Sequence, residues 1–261
     1  MRFDVLTLFP EFFAATVKKS IMGRAIDSGL VEINAHNIRD WAGDRHKTTD
    51  DSPYGGGPGM VMKAEPVALA LEAVKATAKA VPKVILTTPQ GTVFNDHIAR
   101  ELAGLEHVVI ICGRYEGFDE RIRTLVDMEL SIGDFVLTGG ELPAHVIMDA
   151  ATRFIPGVLG AEGSAEDDSF SSGLLEYPQY TRPEEWRGMK TPAELLSGNH
   201  AQIRAWRRRE AIKRTALQRP DLLEKVIMTG DERRMADEFS KEAGASTSDG
   251  FLKKKRTEKG D

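Results

Sequence analysis

The sequence predicts an α/β protein with a mostly parallel sheet, followed by a small all-α C-terminal domain. Three observations carry that expectation. Short β-rich runs alternate with helical stretches through the first two-thirds of the 261 residues, the pattern of strands laid side by side with crossover helices on their faces. Near Pro156 the alternation stops, and residues 157–183 hold glycines, serines, acids and prolines with little periodicity. Beyond that stretch the chain is helical and basic.

The expected strands are 3–8, 31–38, 84–88, 107–112 and 128–132, each short and rich in Val, Ile, Leu or Phe. Helical stretches lie between them at 65–80, 96–105 and 141–154. Asn199 is placed to cap a helix running toward Gln218, and Pro220 opens another. The expected organisation is a domain over 1–160, an interdomain loop over 161–183, a helical domain over 184–240 and a disordered tail over 241–261. That tail mixes Gly, Ser and Thr with a KKKR cluster. No internal repeat is evident.

Bulk composition narrows the function classes. An apolar fraction of 41% with 29% charged residues is that of an ordinary globular chain. No run approaches the roughly 18 apolar residues of a membrane span. The first residues read as a strand and carry Asp4 and Glu11, so no secretory leader is expected. A single cysteine, Cys112, rules out an internal disulfide and points to a reducing, cytoplasmic setting. The net charge of -5 argues against a uniformly basic nucleic-acid coat but leaves room for a local patch.

Three successive expected strands end in glycine-containing loops: TTPQG (87–91), CGRYEG (112–117) and IGDFVLTGGE (132–141). In open α/β sheets, ligands bind beyond the carboxyl ends of the strands. One such loop is as often an ordinary turn; three in a row favour a shared ligand site. No G-x-x-x-x-G-K-[ST] is present, which removes a P-loop. YGGGPGM (54–60) tempts toward a dinucleotide fingerprint, but it follows TTDDSP rather than an apolar strand. It reads instead as a mobile loop or substrate clamp. Six scattered histidines and one cysteine offer no metal-ligand spacing. His145 and Asp149 share a helix face as a surface pair, and Cys112 reads as a small buried hydrophobe.

From His200 to Pro220 there are seven Lys or Arg against one Glu. Ala201, Ala205, Ile212 and Ala216 recur at helical spacing and are expected to face a core. Arg207, Arg208, Arg209, Lys213 and Arg214 take the other faces. In an otherwise acidic chain this concentration favours a polyanion, most commonly nucleic acid.

Taken together with DVLTLFPEFF, RFIPGVLG, DSF and GLLEYPQYTRP, these motifs make the sequence resemble the bacterial tRNA (guanine-N1)-methyltransferases. That family belongs to the SPOUT class, and the likeness runs from Phe3 to about Leu223. The resemblance implies a trefoil knot, an exception to the rule that chains avoid knots. It implies methylation, by S-adenosylmethionine, of N1 of the guanosine 3′-adjacent to the anticodon (position 37) in tRNA. It also implies a homodimer with a shared active site.

By the family's pattern the cofactor site is lined by Leu86, Thr88, Pro89, Gly113, Tyr115, Glu116, Gly117, Ile132, Gly133, Asp134, Phe135, Val136, Leu137, Gly139 and Gly140. Phe135 stands where many relatives have tyrosine. Asp168 in DSF would be the base that takes the N1 proton, and Arg153 in RFIPG would stabilise charge on O6. The residues alone do not choose Asp168 over Glu166 or Asp167; the DSF match does. His46, Asp50, Gly55, Gly56, Gly57 and Gly59 are expected RNA contacts, with Arg207, Arg208, Arg209, Lys213 and Arg214 from the basic helix. The family also uses Mg2+, for which no ligand cluster is visible. A non-catalytic RNA-binding protein on the same fold is the competing class, and the intact Asp168 and Arg153 argue against it.

Overall fold

The computed structural model describes residues 1–160 and 168–242. Glu166, Asp167 and most of the expected tail lie outside the described residues. Internal contacts cluster into two compact units, Met1–Glu162 and Gly163–Asp261.

The first unit runs β1 (Arg2–Thr7), α1 (Glu11–Thr16), α2 (Ser20–Asp27), β2 (Glu32–Asn37), β3 (Asp50–Asp51), β4 (Val61–Met62), α3 (Ala64–Ala76), β5 (Lys83–Val93), α4 (Asp96–Ala103), β6 (His107–Cys112), β7 (Met128–Ser131) and α5 (Glu141–Thr152). Two 3-10 turns, Ile38–Trp41 and Glu120–Leu125, sit among them. Five strands form one sheet in the order β2-β1-β6-β5-β7, with every neighbouring pair parallel. These are the five strands expected from sequence. β3 and β4 form a separate two-residue antiparallel pair.

The central strands are buried on both faces, which is why β6 is apolar from Val108 to Cys112. Alternate residues divide between two cores. Val108, Ile110 and Cys112 pack with Phe13, Met22, Ile98 and the inner face of α5 (Ala144, Ile147, Met148, Ala151). Val109 and Ile111 pack on the other side with Val67, Leu71 and Val74 of α3 and with Ile38 and Ile122. Among the buried polar residues, Asp4 on β1 is fully buried and charged. His36 Nε2 and His107 Nε2 each lie 2.6 Å from its carboxylate, as does Arg2 Nε. Burial alone would raise the Asp4 pKa, but the bonds from His36, Arg2 and His107 outweigh it and hold the carboxyl well below the usual range.

β5 differs from expectation in an instructive way. It runs to Val93, five residues past the expected end. Its register against β7 jumps, so that both Thr87 and Thr92 oppose Leu130. Residues 88–91 therefore bulge out of a strand that resumes afterwards. Gly91 permits the return: a Cβ there would lie 2.5 Å from the backbone of Glu129 and Leu130. α1 and α2 were not marked in the sequence, because Ser20, at φ 61, breaks the segment into two pieces too short to show a period. α3 stops at Ala76, before the expected 80, where the Thr77 hydroxyl donates back to Val74 O.

The second unit contains β8 (Glu185–Trp186), β9 (Met189–Lys190), α6 (Ala193–Leu196), α7 (His200–Gln218) and α8 (Pro220–Leu223), with helix again over 230–242. The all-α expectation is thus corrected at a small hairpin. Its turn is Arg187-Gly188, both at positive φ (54° and 78°), the backbone twist that suits a two-residue connection. Asn199 caps α7 as expected, its side chain accepting from the amides of Ala201 and Gln202. The expected core face of α7 shifts. Ile212 and Ala216 are buried, together with Trp206, Ala211 and Thr215, whereas Ala201 and Ala205 are exposed. The helix's first turns lie beyond the cluster of Leu174, Leu223, Val226 and Ala236 that covers its C-terminal half. No helix among the described residues is long and apolar enough to cross a membrane.

Candidate functional site

β5, β6 and β7 are neighbours in the sheet and point the same way, so their carboxyl-end loops meet. They enclose a cavity of about 520 Å³, the size of a small-ligand site. The sequence-expected residues Leu86, Thr88, Pro89, Gly113, Tyr115, Glu116, Gly117, Ile132, Gly133, Phe135, Val136, Leu137, Gly139 and Gly140 all line it. Asp134 does not. The Phe135 amide bonds Gly133 O at 2.9 Å, closing a three-residue turn with Asp134 exposed at its tip.

Sequence reasoning missed several lining residues. Gln90, Arg114, Phe118 and Thr138 sit within or beside the motifs and could have been included. Glu120 and Arg123 come from the 3-10 turn between β6 and β7. ERIRTL carries no motif, and only the fold brings it to the cavity.

Two of the loops are fastened by one buried carboxylate. Glu141, in the first turn of α5, is 1% exposed. Its Oε1 accepts from Thr7 Oγ1 on β1 at 2.7 Å. Arg114, from the loop after β6, places Nη2 2.9 Å from Glu141 Oε2 and donates through Nη1 to Thr138 O at 3.2 Å. The same guanidinium stacks 4.5 Å over the Phe9 ring. Gly140 completes the joint. Its amide bonds Gly113 O at 2.8 Å, and a Cβ on it would lie 2.8 Å from both Cys112 Cα and Gly113 N. Its φ of -82° is ordinary, so close packing rather than backbone freedom demands glycine. Tyr115 does sit in the left-handed region at φ 59°, a strained conformation of the sort that clusters at ligand sites. Burial first, and the Glu141 carboxylate second, push the Cys112 thiol well above its usual pKa, which leaves it inert as a nucleophile.

The 54–60 loop adjoins this cavity without lining it. The Glu116 amide bonds Met60 O and the Met62 amide bonds Gly117 O. The Glu116 side chain lies across Gly59, whose φ is +81°. Gly55, Gly56 and Gly57 are exposed with positive φ, and His46 is exposed; Asp50 is half-buried in β3. The structure therefore brings Gly59 against the CGRYEG loop, while none of these expected substrate-side residues lines the cavity wall.

Arg153 follows the last turn of α5 in the first unit. Asp168 belongs to the second unit, at the start of a tight turn in which the Ser171 amide bonds Asp168 O and the Phe170 amide bonds Leu174 O. The Ser169 hydroxyl accepts from the Glu176 amide, and the Leu175 amide reaches Thr215 Oγ1 of α7 at 2.9 Å. The turn is thus anchored to the basic helix. Among the arginines of that helix, Arg208 donates to Glu232 at 2.7 Å and Arg214 to Glu176 O. Arg207 lies over Tyr177, and Lys213 over Phe239. Arg209 is half-exposed, with Glu210 at 3.9 Å. Much of the expected cationic face is therefore engaged within the unit. Arg204, which sequence reasoning passed over, is exposed. Among the described residues no cluster of three or more His, Cys, Asp or Glu could hold a metal.

Comparison with known proteins adds a family. Residues 1–225 match the model described as tRNA (Guanine-1)-methyltransferase TrmD. Proteins named tRNA (guanine-N(1)-)-methyltransferase are similar over nearly the whole chain. The one from Geobacter metallireducens is 59% identical across 94% of this chain and 100% of its own length. Those from Geobacter sulfurreducens and Moorella thermoacetica are 61% and 55% identical, across 89% and 95% of this chain and 95% and 100% of their own.

The packing of Gly140 is directly testable. Gly140→Ala forces a methyl group into the backbone of the neighbouring loop, an overpacking worth about 1–3 kcal/mol. Melting temperature should fall by roughly 2–10 °C. Gly43→Ala, where nothing lies within 4 Å, should melt like the parent. Equal melting of the two variants would remove Gly140 from the joint.

Proposed function

This chain belongs to the tRNA (guanine-1)-methyltransferase family, and on that premise we propose that it methylates N1 of the guanosine immediately 3′ of the anticodon in tRNA. The methyl donor in this reading is S-adenosylmethionine. The observation that carries it is the convergence of three consecutive strand-end loops on one cavity of suitable volume. The cavity fits the donor. Its wall is largely main chain at Gly113, Gly117, Gly133 and Gly139, where the lack of side chains lets a nucleoside approach the backbone closely. Leu86, Ile132 and Leu137 supply apolar surface for the rest of the nucleoside. Bound there, the donor supplies an electrophilic methyl group on a sulfonium.

The chain's own residues manage the proton. Guanine N1 is protonated at neutral pH and becomes a nucleophile only as that proton leaves. In this reading the Asp168 carboxylate accepts it while the nitrogen lone pair forms the new N–C bond and the methyl's bond to sulfur breaks, its electron pair leaving with the donor as a neutral thioether. Arg153 stabilises the negative charge that gathers on O6. No step is assigned to Mg2+, since the described residues supply no ligand cluster. Exposed Arg204 and Arg209, with the other cations of α7, give the second unit a surface for tRNA phosphates. The buried free thiol of Cys112 suits a cytoplasmic setting.

Two further features belong to the proposal. A trefoil knot is supported by the sheet order, because β5 precedes β6 and β7 in the chain yet lies between them. The chain after β7 then returns to β6, where Gly140 bonds Gly113. A homodimer with a shared active site is supported by the division of labour in the chain: the cavity belongs to one unit and Asp168 to the other. Sedimentation should give twice the chain mass for the active species. An active monomer would contradict sharing.

The decisive assay incubates the protein with methyl-labelled S-adenosylmethionine and total tRNA, then identifies the labelled nucleoside. Label should appear in 1-methylguanosine. Asp168→Asn should keep donor binding and lose roughly 10²–10⁴-fold in rate, the usual contribution of a general base. Label in another nucleoside, or none, would overturn the substrate assignment. Full activity in Asp168→Asn would remove the base.

A further inference from the structure

Arg123 stands outside every motif, yet it holds the cavity's most irregular wall. The bulge at 88–91 leaves the sheet between two stretches of β5 that both pair with β7. On one side the bulge is fixed by contact, since Gly91 packs on the backbone of Glu129 and Leu130. On the other side the Arg123 guanidinium donates through Nη2 to the side-chain oxygen of Gln90, within the bulge. Nη1 of the same group donates to the Glu129 carboxylate on β7. Nε donates to Glu120 at 3.0 Å. Each guanidinium nitrogen is thus directed to a different partner: the bulge, the neighbouring strand and the 3-10 turn.

This use of the side chain is specific to arginine. A planar fork can serve three acceptors in fixed directions, whereas an ammonium is a compact charge without that geometry. Gln90 and Arg123 both line the cavity. Because the guanidinium's nitrogens are already engaged by protein groups, its effect on a ligand runs through the position of Gln90 and the bulge.

We propose that Arg123 is a positioning residue that sets methyl-donor affinity by bracing the 88–91 bulge against β7. The proposal rests on the methyltransferase reading, and it concerns the donor half of the site alone. Loosening the bulge changes donor binding and leaves the tRNA side untouched.

The test is calorimetric titration of S-adenosylmethionine into the full-length protein and its variants, with steady-state kinetics alongside. Arg123→Lys keeps the charge and loses the fork. It should weaken donor binding about ten-fold, which is about 1.4 kcal/mol, and raise the donor KM with little change in kcat or in the tRNA KM. In a Gln90→Ala background, Arg123→Lys should add little further loss, because the brace then has nothing to hold. Glu129→Gln, which keeps a carbonyl acceptor, should retain more affinity than Glu129→Ala. That pair carries the test should Arg123→Lys fail to fold. Parental affinity in Arg123→Lys, losses that simply add in the double variant, or equal affinities in the two Glu129 variants would overturn the brace. Failure of the parent itself to bind donor would instead overturn the methyltransferase reading.

Discussion

Glu141 is the group on which the cavity's geometry depends. A carboxylate at 1% exposure is costly unless its charge is met. Here it is met by Thr7 from β1 and by Arg114 from the loop after β6, while its own backbone opens α5 and continues the loop after β7. Three separate chain segments are therefore fixed relative to one another by the requirement to neutralise one buried charge. Placement at a helix N-terminus adds a further favourable field. Gly140 and Gly113 bring two of those segments into backbone contact, so the joint tolerates no side chain at 140.

The same logic extends outward. Arg114 joins the loops after β6 and β7, while Arg123 joins the bulge of β5 to β7. Between them the two arginines fix every loop that encloses the cavity, leaving the glycines to present backbone to its interior. Backbone recognition requires such fastening, because a loop that reads a ligand through its amides must hold them in place before the ligand arrives.

Much of this was legible in the sequence. β1, β2, β5, β6 and β7 are apolar runs of the right length, and the loops that follow three of them carry the motifs that line the cavity. Some features could not be read. The bulge in β5 arises from pairing with a strand distant in the sequence, and local propensity holds no trace of it. Glu120 and Arg123 reach the cavity only because β5 is placed between β6 and β7. Gly140 reads as a flexible turn residue, but its φ is ordinary and its role is close packing. In α7 the charge count was correct, and the structure adds partners within the unit that the sequence did not show. Arg208 and Arg214 serve Glu232 and Glu176 O within their own unit, and such long-range pairings are invisible in helical periodicity.

Glu141 makes two loops into one rigid wall. Backbone hydrogen exchange of Glu141→Ala against the parent tests it most directly. Loss of charge-assisted contacts worth about 1.5–3 kcal/mol each should speed exchange about ten-fold or more at residues 113–117 and 138–140 together, while residues 107–112 of β6 keep their protection. Unchanged exchange in both loops, or acceleration confined to one of them, would contradict the claim.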